Sequence, residues 1–240
     1  MLWLWAGLVC AGTLVPIPEG RYEPLYPADP DQPSVAVDGF RLDDRPVTAA
    51  EFAAFVTANP EWARGGVSPL MADQRYLSEP QSPEQPVVRV SWFAARAYCT
   101  SVAKRLPTED EWEYVGRASA TEMDASHDPA HLQQLLDWYG RPGSEPLRDV
   151  ATGVPNVYGL HDMHGLVWEW VEDFNNTLFG TDGREGGDDD TLKFCGAGAL
   201  SATDVEDYAR FMRIAFRSSL RGSYTTSNLG FRCAADGETP

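Results

Sequence analysis

Basic residues are scarce in this chain: 19 Lys and Arg stand against 36 Asp and Glu, a net charge of −17. Nucleic acid and anionic membranes both need a basic face to neutralise phosphate, so neither is an expected partner. The carboxylate surplus suits solubility, divalent cations or basic peptides. Cysteine is scarce too, with four in 240 residues and no Cys-x-x-Cys pair. That excludes a zinc ribbon and a disulfide-stapled mini-domain. No apolar run reaches the roughly 20 residues that cross a bilayer. The longest, 2–15, fits the core of a secretory signal better, although it lacks the usual basic start.

Residues 1–12 are therefore expected to be a signal peptide and 13–240 a single domain, exported to the periplasm or secreted. The stretch Gly7-Leu-Val-Cys10 leaves lipid anchoring at Cys10 as an alternative, though Val9 is a poor residue before such a cysteine. Without Cys10, the remaining Cys99, Cys195 and Cys233 leave one thiol over.

What is present is aromatic and turn-rich: eight Trp, 21 Gly and 18 Pro beside 43% hydrophobic residues suggest a loop-rich globular fold with one core. Leu14-Val-Pro-Ile17 reads as a first strand, and 35–42 alternates as another. Thr48 opens a helix through Phe52 and Val56 that Asn59-Pro60 stops. After a long loop over 60–86, Val87-Val-Arg-Val90 reads as a strand, and Ser91 caps a helix carrying Phe93, Ala97, Cys99 and Val102. Thr108 and Glu111 form a capping box, with Trp112 and Val115 facing inward. A helical piece spans 131–138, and 194–200, 211–219 and 229–234 read as short strands. No internal repeat stands out, and the whole reads as an irregular α+β fold.

Three blocks carry more than periodicity. They are Arg105-Leu-Pro-Thr-Glu-Asp-Glu-Trp-Glu-Tyr114, Asn156-Val-Tyr-Gly-Leu-His-Asp-Met-His-Gly-Leu-Val-Trp-Glu-Trp170 and Ser227-Asn-Leu-Gly-Phe-Arg-Cys233. In composition and order they resemble the sulfatase-modifying factor (formylglycine-generating enzyme) family, which implies its variant of the C-type lectin fold. The resemblance implies calcium held by the Asp162 and Glu169 side chains with the Gly165 and Val167 carbonyls, an oxygen set that suits a hard cation. The plainer alternative is a capped turn with Glu169 bonded to backbone amides. His161, Met163 and His164 offer softer ligands for copper or iron, but Asp-Met-His-Gly is an ordinary form of this block in the family. A Cys99–Cys233 disulfide is implied, worth about 4 to 5 kcal/mol for so long a loop. The family's other disulfide falls on Gly116 and Ile214, which cannot bridge.

The oxidase members of the family hold copper with two cysteine thiolates, and here the corresponding interval, 196–218, contains no cysteine. The matching positions are Ser201 and Glu206, or Asp204 and Ala209, and neither pair suits soft Cu(I). Trp168, Arg213, Arg217, Ser218 and Asn228 match positions that line or support the substrate groove. Arg213 and Arg217 can equally brace buried carboxylates such as Glu169 or Glu113. Cys195 is either a buried thiol or a single-cysteine copper or iron site with Met212 and His164. Asp204, Glu206 and Asp207 beside Tyr208 offer a carboxylate site for a harder metal. Cys195, Asp204 and Glu206 are thus the candidate catalytic residues. The expected function is an exported factor that modifies or matures a protein or peptide by oxidative, non-formylglycine chemistry. The alternative is a non-catalytic, calcium-stabilised binding module; formylglycine generation is a third reading for which no register is found.

Overall fold

The computed structural model describes residues 12–27, 29, 31–141, 145–174 and 205–237, with side chains from 208 onward in the last segment. Three small sheets and five α-helices are connected by long ordered loops among these residues. Strand β1 (Leu14–Ile17) pairs antiparallel with β4 (Phe40–Asp43), which pairs on its other edge with β7 (Ala234–Asp236). The chain's two ends thus meet on β4, whose Phe40 and Leu42 are almost fully buried. The expected 35–42 strand is broken at Asp38-Gly39: β3 (Val35–Val37) turns away to pair with β2 (Gly20–Tyr22). A parallel two-residue pair, β5 (Trp168–Glu169) with β6 (Leu229–Gly230), closes the middle. The pair is tight at Gly230, where any Cβ would lie 2.6 Å from the Val87 carbonyl oxygen.

The helices begin where side-chain chemistry places them. Helix α1 (Ala49–Ala58) and α3 (Glu109–Gly116) both start in complete capping boxes, Thr48 with Glu51 and Thr108 with Glu111. In each, an arginine six residues before the glutamate clamps it: Arg45 on Glu51 at 2.8 and 3.0 Å, Arg105 on Glu111 at 2.6 and 2.7 Å. The unit Arg-x-x-Thr-x-x-Glu therefore occurs twice, a local repetition not expected from the sequence pattern. Helix α2 (Trp92–Ser101) is capped by Ser91, and α4 (Pro129–Tyr139) by Asp128 with Pro129 in its first turn. A disulfide joins Cys99 on α2 to Cys233 just before β7, with both cysteines fully buried.

Two further expectations fail. Val87 to Val90 forms no strand beyond a bridge at Pro86, because Arg89 sits at φ +59° and turns the chain. Its amides reach loop carbonyls instead, Val87 to Val47 and Arg89 to Thr226. The stretch 211–219, read as a strand, lies in helix α5 (Val205–Ser218) and its end. Ala209, Arg213 and Arg217 recur every fourth residue on one buried face there, a helical period hidden by the charge of the two arginines. Among the described residues no helix is long and apolar enough to cross a membrane. Cys10, the acidic stretch 180–190, and the 194–200 strand lie outside the described residues.

Candidate functional site

The 156–170 block is a run of turns held from several sides. Asp162 takes φ +58° and Gly165 φ +89°, left-handed conformations that a short polar side chain and a glycine tolerate. Asn156 organises the entry, its Oδ1 accepting from the Tyr158 and Leu160 amides at 3.1 Å. The block ends just past β5, where Trp170 is fully buried and its indole donates to the Val90 carbonyl at 3.1 Å.

The two carboxylates of the block carry different partners. Asp162 accepts from the Arg148 guanidinium at 2.7 Å and from the Ala151 amide at 2.7 Å. Glu169 is closed in completely. Arg232 donates to it through Nε at 2.9 and 3.1 Å and through Nη2 at 2.9 Å, and the Trp112 indole adds a bond at 2.8 Å. Arg232 spends its other donors on the His161 carbonyl at 2.8 Å and the Asp43 carbonyl at 3.2 Å. Both members of the Glu169–Arg232 pair are 0% exposed. Each Glu169 oxygen already receives two N–H donors, and a guanidinium lies against the carboxylate. That donor set does not fit a calcium ion at Asp162, Gly165, Val167 and Glu169, because the position of positive charge is taken by Arg232. The alternative of Glu169 bonded to backbone amides is not what is observed either: its partners are side chains.

The expected groove residues divide into two groups. Arg213 and Arg217 point from α5 into α3. Arg213 grips Glu113 at 2.7 to 3.0 Å and donates to the Tyr139 hydroxyl at 3.0 Å. Arg217 bonds Glu113 at 2.6 Å and Glu109 at 3.1 Å, and lies over the Trp112 ring at 4.7 Å. Burial alone would raise the Glu113 pKa, but the two guanidiniums outweigh it and hold the carboxyl well below its usual range. Ser218 donates to the Ile214 carbonyl at 2.6 Å within its own helix. These three residues are therefore committed to bracing.

Trp168 and Asn228 remain at a surface. The Trp168 amide donates to the Asn228 carbonyl at 2.8 Å across the β5–β6 pair. Both line a cavity of about 200 Å³ with Trp138, Tyr139, Leu147 and Arg148. The Trp168 ring is stacked on Phe216 at 4.4 Å and on Tyr139 at 5.1 Å, with Trp138 also at 5.1 Å. An adjoining cavity of about 540 Å³ shares Trp138, Arg141 and Gly165, and includes His131, Met163 and His164 in its wall. His161 is directed elsewhere, its Nδ1 bonded to the Gly153 carbonyl at 2.9 Å. Of the candidate catalytic residues, Cys195 and Asp204 lie outside the described residues, as does Ser201, and Glu206 lies in α5 without a described side chain. Tyr208, beside them, is exposed.

In the sequence Arg232 stands inside the Gly-Phe-Arg-Cys block with no evident role, and nothing there marks Arg148, Tyr139 or His131 as part of the site. A signal for Arg232 exists. A carboxylate between two tryptophans and a guanidinium between Phe231 and Cys233 are both forced into the core, where each needs an opposite charge.

Comparison with known proteins agrees with this architecture. The family described as sulfatase-modifying factor enzyme 1-like domain matches residues 5–237. The formylglycine-generating enzyme of Streptomyces coelicolor is 31% identical, over 89% of this chain and 84% of that protein. The Bos taurus inactive C-alpha-formylglycine-generating enzyme 2 is 32% identical, over 65% of this chain and 52% of that protein. Among solved structures, PvdO from Pseudomonas aeruginosa superposes with a TM-score of 0.52 at 20% identity, covering 93% of this chain and 94% of that one. CarF does so with a TM-score of 0.53 at 16% identity, covering 94% and 98%. The fold is the C-type-lectin-like one that the sequence blocks imply, and the chain belongs to the sulfatase-modifying factor family.

Proposed function

We propose that this chain is an exported sulfatase-modifying-factor-like protein that engages a protein or peptide substrate and does not generate formylglycine by copper–thiolate chemistry. The observation that carries the reading is the cysteine count. Of four cysteines, Cys99 and Cys233 are tied to each other, leaving only Cys10 and Cys195. No two thiolates stand close in sequence to share a soft ion between 196 and 218. The aromatic wall of Trp138, Tyr139 and Trp168 beside Asn228 supports peptide binding: flat rings give contact area, and an amide side chain can bond a peptide backbone. Chemistry on the bound substrate is assigned to metal-dependent oxidation at Cys195 or at Asp204 and Glu206.

The second reading, a non-catalytic binding module of the same fold, is favoured by the bracing role of Arg213 and Arg217, which takes both guanidiniums out of substrate contact. One experiment separates the readings. The purified chain is incubated under oxygen with copper and a Cys-x-Pro-x-Arg peptide, and the peptide is followed by mass spectrometry. The expected result is an unmodified cysteine; conversion to formylglycine overturns the proposal. Modification of any other peptide by the wild-type chain, lost in Cys195→Ser or Asp204→Asn, favours the oxidative reading. Binding that needs Trp168 but yields no product favours the module.

A further inference from the structure

We propose that His131 and His164 together bind one borderline transition-metal ion, of the copper(II) or zinc(II) kind, in the wall of the 540 Å³ cavity that both residues line. The proposal is independent of the oxidative reading, since it uses neither Cys195 nor the carboxylates near Asp204.

It starts from two nitrogen atoms without partners. His164 Nδ1 and His131 Nε2 are both sealed from solvent, and neither makes a hydrogen bond. A buried nitrogen left in this way is uncommon in a folded protein and asks for a ligand. The two rings belong to different elements, α4 and the turn before β5, yet their centroids lie 6.2 Å apart at an angle of 76°. An ion bonded at about 2.0–2.1 Å to both imidazoles can span this spacing when the two nitrogens stand nearly opposite across it.

The tautomer of His164 is fixed by its other nitrogen. Nε2 lies 2.7 Å from the Gly116 carbonyl oxygen, which can only accept, so Nε2 carries the proton and Nδ1 presents a lone pair. A ring N–H bonded to a backbone carbonyl is the usual outer support of a metal-binding imidazole. The ring is also held edge-on by Trp112 at 5.3 Å and flanked by Trp138 at 6.3 Å, so its direction is set before any ion arrives. Burial, followed by the nearby Arg213, pushes His164 down to about 3, and burial lowers His131 against the opposing pull of Asp128. Both imidazoles are therefore neutral and able to ligate at pH 7. The Arg213 charge that lowers both rings also works against a bound cation, and Glu113 offsets part of it.

Imidazole nitrogen is a borderline donor, which favours copper and zinc over calcium or magnesium. The Met163 thioether lies in the same cavity wall, and Asp128 lies near His131. Among the described residues no group of three or more His, Cys, Asp or Glu gathers as a metal site. Two protein nitrogens leave the ion's other coordination positions to water or a small ligand.

The test uses the full chain freed of metal by chelator dialysis, then titrated with copper(II) and followed by electron paramagnetic resonance, with zinc(II) in parallel by calorimetry. One ion per chain with nitrogen hyperfine coupling from two imidazoles is expected. His131→Asn should weaken binding roughly tenfold or more, the scale on which even outer-shell changes act. His127→Asn and His161→Asn should leave it unchanged. His164→Asn is less informative alone, since that ring is wedged between Trp112 and Trp138. His131 is half-buried in the first turn of α4, and circular dichroism will show that its variant folds. Absence of a stoichiometric site overturns the proposal. So does a site untouched by His131→Asn, or one whose spectrum shows oxygen ligands only.

Discussion

The two ends of the 162–169 stretch solve the same electrostatic problem in different places. Glu169 and its partner Arg232 are both wholly buried, and the guanidinium ties together three segments through the Glu169 carboxylate and the His161 and Asp43 carbonyls. Asp162 is just as buried, at 1% of its side chain, but its partner Arg148 is 41% exposed. The difference teaches where cohesion resides. A fully desolvated charge cannot lose its partner without leaving a bare ion in a low-dielectric interior. A carboxylate whose partner stands in water can exchange it for solvent while keeping its bond from the Ala151 amide.

The largest expected effect breaks the buried end. Arg232→Met should destabilise the fold by about 3–5 kcal/mol, because Glu169 is left charged, buried and served by the Trp112 indole alone. Urea denaturation of the wild type and the variant measures this. A double variant, Arg232→Met with Glu169→Gln, should recover part of the loss, since it removes the orphaned charge. Equal losses in the single and the double would place the cost in packing and not in the ion pair.

A third buried cluster extends the comparison to pH. Glu113 is mostly buried between Arg213 and Arg217, which hold its carboxyl far below the value of 4.5 that it has when unfolded. A carboxylate with a depressed folded value binds fewer protons native than unfolded. Its stabilising share is complete above about pH 4.5 and is lost as pH falls below it. Chemical denaturation from pH 7 down to pH 3 should therefore show stability declining below about pH 4.5. Glu113→Gln should be less stable at pH 7 and decline less steeply. A variant with the parent's slope would assign the acid sensitivity to other carboxylates.

The legible parts of this molecule were those written in local chemistry. Thr48 with Glu51, Ser91, and Thr108 with Glu111 announce their helices because a capping side chain acts within three residues. The family blocks placed the disulfide and the fold. The misread segments are those whose conformation is decided from outside. Phe211, Met212, Ile214 and Phe216 look like strand material, but the partner of their helix face is Glu113, about a hundred residues earlier. Val87 to Val90 has strand composition, yet Arg89 turns the chain to meet Thr226. The site was half legible for the same reason. A carboxylate flanked by Trp168 and Trp170 signals a buried charge, but the sequence does not say whether a metal or an arginine neutralises it. The pairing of Glu169 with Arg232 spans 63 residues. The imidazole pair of His131 and His164 is likewise invisible without the packing of α4 against the block.

The smallest expected effects belong to the exposed end. Arg148→Ala should cost about 0–1 kcal/mol, the scale of an ion pair with one partner in water. Chelation should cost nothing measurable at the same place. If Arg232 supplies the positive charge for Glu169, then in chain already freed of transition metal EDTA leaves the thermal midpoint unchanged and added calcium does not raise it, because no calcium is bound there to be removed or restored. A fall of several degrees in EDTA, reversed by calcium and not by magnesium, would break the comparison. The Asp162 end would then be the stronger one, with its carboxylate turned from Arg148 to the ion. Arg148→Ala sharpens the choice, since it frees the Asp162 Oδ1. A calcium response that appears only in this variant would mean that the exposed arginine, as well as the buried one, occupies ground that a cation can take.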